Sequence, residues 1–156
     1  MGLLSRAERG FMRLHEAIYI RTDGRVGRRM IGVPTLLLRT TGRRSGLPRT
    51  VALVYAEDGD CYVLVASNHG WDRPPAWFVN LQAQPRVNVQ VGRVRADGVA
   101  SVVTPEDPDY SRLWGLMNAV NHDRYDGYQS KTTRPIPLVV VRPSGSHEEL
   151  ASRPGA

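Results

Sequence analysis

Three arginines, two glycines and a serine are grouped in residues 40–49, which read TTGRRSGLPR. Apolar runs at 33–38 and 50–54 flank this stretch, so it is predicted to be the turn of a β-hairpin. Guanidinium groups donate forked hydrogen bonds that match phosphate and carboxylate oxygens, and glycines let backbone N–H groups face the same anion. The turn can therefore bind an anion, but taken alone it is more typical of a solvated basic surface.

Composition places the chain among ordinary globular proteins. Its 156 residues suffice for one domain with its own core, and 41% are hydrophobic and 23% charged. The net charge of +6 favours anionic partners, either nucleic acid, a membrane surface or a phosphorylated or carboxylated ligand. No zinc finger or RNA-binding motif is present and the arginines concentrate in one turn, so nucleic acid is not the expected partner.

Cysteine and histidine spacing argues against a metal site. Cys61 is the only cysteine, which excludes an intrachain disulfide and a cysteine cluster. It lies in an apolar run and is predicted to be buried. His15, His122 and His147 are far apart, so no zinc site is expected. No signal peptide or membrane span is recognisable, and a cytoplasmic location is expected.

The apolar pattern divides the chain into three parts. Residues 1–30 are predicted to form an amphipathic helix and an irregular connection, 31–142 to form the main domain, and 143–156 to form a flexible tail. The apolar face of the first helix either packs on the domain or rests on anionic lipid. Its apolar positions are Leu3, Leu4, Ala7, Phe11, Leu14, Ala17 and Ile18.

About six strands and three helices are predicted, which indicates an α+β barrel with mainly antiparallel strands. The strands are 33–38, 50–55, 61–66, 87–91, 93–103 and 135–141. Asp72 is predicted to cap a helix that runs through Trp77 to Ala83. Residues 104–106 are predicted to begin a third helix, and 121–133 to form a polar segment. No Walker A loop or dinucleotide fingerprint occurs.

Four separated motifs resemble the deazaflavin-dependent nitroreductase and quinone reductase family. They are TTGRRSGLPR, VLVASNHG, PPAWFVNLQAQPRVNVQV and YDGYQ, and the resemblance covers residues 34–141. It implies a split β-barrel of the FMN-binding type and binding of coenzyme F420, an 8-hydroxy-5-deazaflavin with a phospholactyl oligoglutamate tail. A tail with several negative charges is the kind of ligand that the arginine turn suits.

The resemblance also implies roles for individual residues. The phosphate and tail are expected at Arg43, Arg44, Ser45 and Arg49, and the strand beside the cofactor at Thr50, Val51, Ala52, Leu53 and Val54. The loop near the ring is expected at Ala66, Ser67 and Asn68, and the flanking helix at Ala76, Trp77 and Asn80. Tyr125 and Tyr128 are expected to close over the cofactor and acceptor.

Hydride transfer makes the acceptor anionic, so a nearby hydroxyl must supply a proton or offset the charge. Candidates for this role are Tyr125, Tyr128 and Ser67, with His69 as a relay. Each has an ordinary alternative: the two tyrosines as rim aromatics, Trp77 as a core residue and His69 as a solvated side chain.

Three departures from the family pattern bear on the prediction. Asn68 and His69 stand where lysine and glycine are common, so one cofactor cation is absent at that place. Val54 replaces an aromatic residue of members that reduce nitroimidazoles, and activity on bulky nitro compounds is not expected.

The predicted function is hydride transfer from reduced F420 to a quinone, nitroaromatic or other activated acceptor. The alternative is a carrier that binds a deazaflavin, a flavin or a lipid-like ligand without turnover. The expected partners are a small-molecule cofactor and a hydride acceptor, and the expected oligomeric state is a monomer or homodimer. Peripheral membrane contact would occur through the first helix.

Overall fold

The computed structural model describes residues 14, 17, 18, 21, 29–30 and 32–145, with only the backbone at 29–30. Residues 14, 17, 18 and 21 are helical. The rest of the predicted first helix, and residues 146–156 of the predicted tail, lie outside the described residues. Within the described part of the chain, no helix combines the length and the apolar character needed to cross a bilayer.

Antiparallel strands form one sheet of eight. They are β1 (Arg29–Met30), β2 (Val33–Thr41), β3 (Pro48–Val54), β4 (Ala56–Asp58), β5 (Cys61–Val65), β6 (Arg86–Val91), β7 (Val94–Val103) and β8 (Leu138–Pro143). The strand order is β1-β2-β6-β7-β8-β5-β4, with β3 also paired to β2. The three described helices with more than four residues are α1 (Ala76–Ala83), α2 (Tyr110–Val120) and α3 (Arg124–Gln129).

The chain itself joins the two ends of this sheet. Only Tyr55 separates β3, which pairs with β2, from β4, which pairs with β5. Because strands at opposite ends of the pairing order are continuous in the chain, the sheet must curl back on itself. The Tyr55 ring packs edge-on against Tyr62 at a centroid distance of 5.5 Å and fills the space between the two ends.

Strand alternation separates two apolar layers. Leu36 and Leu38 on β2, Val89 on β6 and Leu64 on β5 point into the barrel. Helix α1 closes this interior with Trp77, Phe78 and Leu81, all buried. Strands β2 and β5 are apolar and buried on both faces, so alternation in the sequence alone does not mark which of their residues face the interior.

Residues on the opposite face of β5 and β8 form the second layer. Val63, Val65 and Leu138 pack there against Leu113 and Met117 of α2. Burial raises the pKa of Tyr110 to about 12, and its hydroxyl donates to the Ile136 carbonyl at 2.6 Å. This bond fixes the start of α2 against the segment that leads into β8.

The first predicted helix cap was wrong. Helix α1 begins at Ala76, directly after Pro75, because proline fixes φ and needs no hydrogen-bond acceptor for its nitrogen. The Asp72 carboxylate instead accepts a hydrogen bond from the Thr132 hydroxyl at 2.7 Å. Asp72 thus joins two distant loops.

The start of the next helix was also wrong. Residues 104–109 form turns, and α2 begins at Tyr110. The Asp107 carboxylate accepts a hydrogen bond from the Thr104 N–H at 2.6 Å, which closes a turn where a helix was predicted.

Two later segments differ from the prediction, one in its secondary structure and the other in its boundaries. The polar stretch 121–133 contains α3, whose Tyr125 is buried. The last strand begins at Leu138 and ends at Pro143, because residues 135–137 precede the paired register with β7.

Candidate cofactor and active site

A cavity of about 420 Å³ lies between the β2–β3 turn and helix α1. Both elements contribute to its lining, and three arginines of the β2–β3 hairpin supply all of its charge. It is lined by Thr40, Gly42, Arg43, Arg44, Ser45, Arg49, Thr50, Val51, Ala76, Trp77 and Asn80. The residues predicted to bind a phosphate and those predicted to flank a ring therefore share one cavity.

The turn is held tightly by its own backbone. The Gly42 N–H donates to the Leu47 carbonyl at 2.8 Å, and the Gly46 N–H donates to the Gly42 carbonyl at 2.7 Å. A Cβ on Gly42 would lie 2.6 Å from Ser45 Oγ and 3.2 Å from the Leu47 carbonyl oxygen. A side chain at position 42 would therefore displace the Ser45 hydroxyl and crowd the Leu47 carbonyl.

Asn80 fixes the turn to α1. This buried amide accepts the Arg43 N–H on Oδ1 at 3.1 Å and donates from Nδ2 to Thr40 Oγ1 at 3.3 Å. One side chain thus holds the end of β2 and the first arginine of the turn. The backbone of Arg43 is therefore held in a fixed position relative to α1.

Arg43, Arg44 and Arg49 are exposed and make no ion pair with any carboxylate in the described part of the chain. Three like charges at one turn repel each other unless an anion lies among them. Their charge therefore leaves the cavity complementary to an anionic group, and the largely buried Trp77 is one of the apolar residues that line it.

A second group of predicted site residues lies on the loop that follows β5. Ala66 is buried in the barrel interior with Trp77, whereas Ser67, Asn68 and His69 are half-buried. Asn68, His69 and Gly70 have φ of 44°, 57° and 79°. Three successive left-handed residues are costly and persist only where the surroundings hold them.

Helix α3 packs beside this loop. The Tyr128 ring lies edge-on to His69 at a centroid distance of 5.6 Å and to Tyr125 at 6.1 Å. The Lys131 ammonium lies 5.4 Å from the centre of the Tyr128 ring. The pattern YDGYQ therefore does bring Tyr128 to the loop that carries Ser67.

The two tyrosines differ in burial. Tyr125 is 5% exposed, and this burial, followed by the nearby Tyr128, raises the pKa of its phenol. It therefore remains protonated near neutral pH, within the apolar layer beneath α2 and α3. Tyr128 is half-buried, and no described group accepts or donates a hydrogen bond at its hydroxyl. Tyr128 is the better placed of the two to meet a small molecule.

The structure gathers nine of the predicted residues around the cavity: Arg43, Arg44, Ser45, Arg49, Thr50, Val51, Ala76, Trp77 and Asn80. The other predicted residues lie away from its lining. Leu53 packs against the barrel interior and Val54 against the outer layer. The remaining ones are Ala52, Ala66, Ser67, Asn68, Tyr125 and Tyr128.

Sequence reasoning missed three residues of the site. Thr40 and Gly42 line the cavity; they belong to the stretch predicted to bind an anion but were not named among the individual site residues. Arg134 contacts the backbone of the loop after β5. No local signal marks Arg134, since it lies more than 60 residues from its partners.

The chain belongs to the F420H(2)-dependent quinone reductase family, whose model matches residues 11–143. An F420H(2)-dependent quinone reductase of Mycobacterium tuberculosis strain H37Rv is 52% identical over 131 residues, which cover 83% of this chain and 88% of that protein. The predicted family is thereby confirmed.

Two solved structures are similar over most of their length. A structure described as an F420-H2 dependent reductase is 36% identical with a TM-score of 0.63, covering 69% of this chain and 93% of that one. A second, described as a domain-swapped dimer, is 30% identical with a TM-score of 0.65, covering 85% and 98%. With these neighbours, the curled sheet is identified as the predicted split barrel.

The residues present fit coenzyme F420. Its phosphate and glutamates need several cations, and the turn offers three arginines without carboxylate partners among the described residues. Its deazaflavin ring needs apolar surroundings, and Val51, Ala76 and Trp77 also line the cavity. The prediction that F420 is the cofactor is confirmed by family membership.

Proposed function

We propose that the protein transfers a hydride from reduced F420 to a quinone, with the cavity between the β2–β3 turn and α1 as the cofactor site. The observation that carries this proposal is the convergence of Arg43, Arg44 and Arg49 with Trp77 on one cavity. When bound, reduced F420 supplies a hydride at C5 of its deazaflavin ring. The quinone takes up this hydride and one proton to become a hydroquinone.

The arginines act by binding and orientation. Their fixed charges hold the anionic tail, and Asn80 keeps the turn in register with α1. By holding the tail, the arginines would leave a bound cofactor few orientations, which favours hydride transfer to an acceptor.

The hydroxyl groups act on the acceptor. Tyr128 and Ser67 are placed on neighbouring elements, α3 and the loop after β5. A hydroxyl within hydrogen-bond reach stabilises the charge that develops on the quinone oxygen and delivers the proton. His69, whose ring packs against Tyr128, serves as the relay for this proton.

Binding and turnover are tested separately with purified protein. Titration with F420 is expected to quench the fluorescence of the coenzyme saturably, and menadione is then expected to oxidise the reduced coenzyme catalytically. Saturable binding without oxidation of the reduced coenzyme by any of several quinones would favour a carrier. Tight binding of FMN with no binding of F420 would contradict the proposed cofactor.

We also propose a cytoplasmic location with peripheral membrane contact through the N-terminal helix. Leu14 and Ile18 are exposed, at 59% and 37%, which supports an apolar face available to lipid. Sedimentation with anionic vesicles tests this, and protein that remains in the supernatant would contradict it.

The relative solved as a domain-swapped dimer supports a homodimer, which light scattering would detect.

A further inference from the structure

We propose that Arg134 is a positioning residue of the reductase site, because its guanidinium binds the backbone of the loop at residues 66–71 and thereby holds the loop that carries Ser67 beside helix α3. This inference rests on the proposed function, in which Ser67 and Tyr128 act on the acceptor. Arg134 itself contacts neither the cavity described above nor its arginines.

All hydrogen bonds from the Arg134 guanidinium go to main-chain carbonyls. Nη2 donates to Ser67 O at 3.1 Å and to Trp71 O at 3.1 Å. Nε also donates to Trp71 O at 3.3 Å, and Nη1 to Ala66 O at 3.4 Å. One planar group thus bridges the first and last residues of the loop.

The loop needs such a bridge. Its left-handed residues Asn68 and His69 carry side chains, and this conformation is unfavourable for residues other than glycine. Only two backbone hydrogen bonds close the loop from within, from Gly70 N–H to Ser67 O at 2.9 Å and from Trp71 N–H to Asn68 O at 3.1 Å. The Asn68 amide adds a bond to Arg73 O at 2.8 Å.

Arg134 is itself fixed relative to α3. Its N–H donates to Thr132 Oγ1 at 3.1 Å, and its carbonyl accepts the Gln129 amide at 2.9 Å. Gln129 is the last residue of α3 and also accepts the Ile136 N–H at 2.9 Å. The helix that carries Tyr128 and the loop that carries Ser67 are therefore connected through Arg134.

Charge and shape make arginine suited to this position. Burial lowers the pKa of the Arg134 guanidinium and the nearby Asp72 raises it, but a guanidinium stays charged in proteins. Lysine offers one nitrogen where arginine offers three, so it can satisfy part of this set but cannot span three carbonyls in one plane.

The test compares Arg134→Ala and Arg134→Lys with Arg112→Ala as a matched control. Arg112 also binds through two nitrogens, to Asp58 at 2.7 and 3.0 Å, but it lies on α2 and is not part of the site. We expect Arg134→Ala to lower kcat with menadione by roughly tenfold to 100-fold, as small misplacements of reacting groups do. Affinity for F420 should stay within about twofold, since the arginine turn is untouched.

Arg134→Lys is expected to keep an intermediate kcat, and added guanidinium chloride at millimolar concentration should partly restore Arg134→Ala. Arg112→Ala should keep the parental kcat. Hydrogen exchange provides a readout without cofactor: the amides of Gly70 and Trp71 should exchange faster in Arg134→Ala and unchanged in Arg112→Ala.

An unchanged kcat in Arg134→Ala, or unchanged exchange at Gly70 and Trp71, would overturn the inference. A fall in kcat matched by an equal loss of F420 affinity and no rescue by guanidinium would also overturn it, because that result indicates general destabilisation. If the parental protein fails to oxidise reduced F420 with quinones, the proposed function fails instead, and the exchange experiment still tests the contact.

Discussion

Arg44 and Arg49 reach the same cavity from different parts of the hairpin. Arg44 belongs to the turn and Arg49 belongs to β3. The side chain of Arg49 passes next to Gly42. We expect Arg44→Ala and Arg49→Ala each to raise the Kd for F420 about tenfold, because each removes a charge-assisted hydrogen bond worth about 1.5 kcal/mol at an exposed site. Fluorescence quenching measures both constants.

Arg93→Ala is the control for this pair. Arg93 is an exposed arginine in the β6–β7 turn, so its removal lowers the net charge equally. If Arg93→Ala weakened F420 binding as much as Arg44→Ala, the effect would be a general charge effect and the turn would lose its special role.

Tyr128 allows a separate test of the acceptor half of the site. Tyr128→Phe removes a hydroxyl with no described hydrogen-bond partner and leaves the ring contacts to His69 and Tyr125. We expect kcat to fall about tenfold or more with cofactor affinity nearly kept, as for the loss of a general acid. Steady-state kinetics and quenching titrations measure the two quantities.

Tyr110→Phe serves as the matched variant, because the Tyr110 hydroxyl is used by the Ile136 carbonyl. This change should lower stability by about 1 kcal/mol and leave kcat unchanged. Parental turnover in Tyr128→Phe would remove Tyr128 from the mechanism.

Individual site residues could be predicted where residues that act together lie close in the sequence. Arg43, Arg44 and Arg49 lie within seven consecutive residues of one hairpin, and all three line the same cavity. Arg134 was not predictable in the same way, because its partners are backbone carbonyls, which leave no trace in residue type.

Among the elements, the loop after β5 places the strictest demand on one residue. Gly70 has a φ of 79°, and a Cβ there would collide with the Tyr128 carbonyl oxygen and lie 3.1 Å from Lys131 Cβ. The loop and α3 can therefore approach closely only through glycine.

Three glycine-to-alanine changes separate the cost of a left-handed backbone from the cost of the close contact with α3. Gly59 has a φ of 60° and open space where a Cβ would lie. Gly127, in α3, also has open space there, but its φ is not positive. We expect Gly59→Ala to cost about 1 kcal/mol, Gly70→Ala at least about twice that, and Gly127→Ala to stabilise by up to about 1 kcal/mol. Urea unfolding measures all three.

Equal costs for Gly70→Ala and Gly59→Ala would mean that the loop can move away from α3. The connection between Tyr128 and Ser67 would then be loose, and the positioning role of Arg134 would lose its structural basis.

Elements were predictable from periodicity but their ends were not. The alternation of Val87, Val89 and Val91 predicted β6 correctly as a strand. Its burial does not alternate, because Gln90 is buried with hydrogen bonds to Arg39, Gly92 and Arg95. The predicted starts of α1 and α2 were wrong because Asp72 does not cap α1 and Asp107 closes a turn with Thr104. Asp72 binds a residue 60 positions away, so local capping rules could not reveal it.

At the scale of the whole molecule, closure of the barrel depends on the pairing order. The sequence predicted antiparallel strands and a barrel, and the family resemblance supplied the split-barrel form. It could not show that Tyr55 alone links β3 to β4, because the apolar run continues through residues 50–56 without interruption. Only the tertiary pairings reveal where one strand ends.

The net charge of +6 leads to the last prediction, which concerns nucleic acid. We expect duplex DNA of any sequence to bind weakly at about 20 mM salt and to dissociate by about 200 mM, since such binding arises from counterion release alone. Fluorescence anisotropy measures it. The double variant Arg44→Ala, Arg49→Ala should lose most F420 binding. Its DNA binding should be little weaker than that of a control double variant that combines Arg93→Ala with the removal of one further exposed arginine. Sequence preference, or binding that persists at the higher salt, would mean that the arginine turn also recognises nucleic acid, and the charge at this cavity would then need a second explanation.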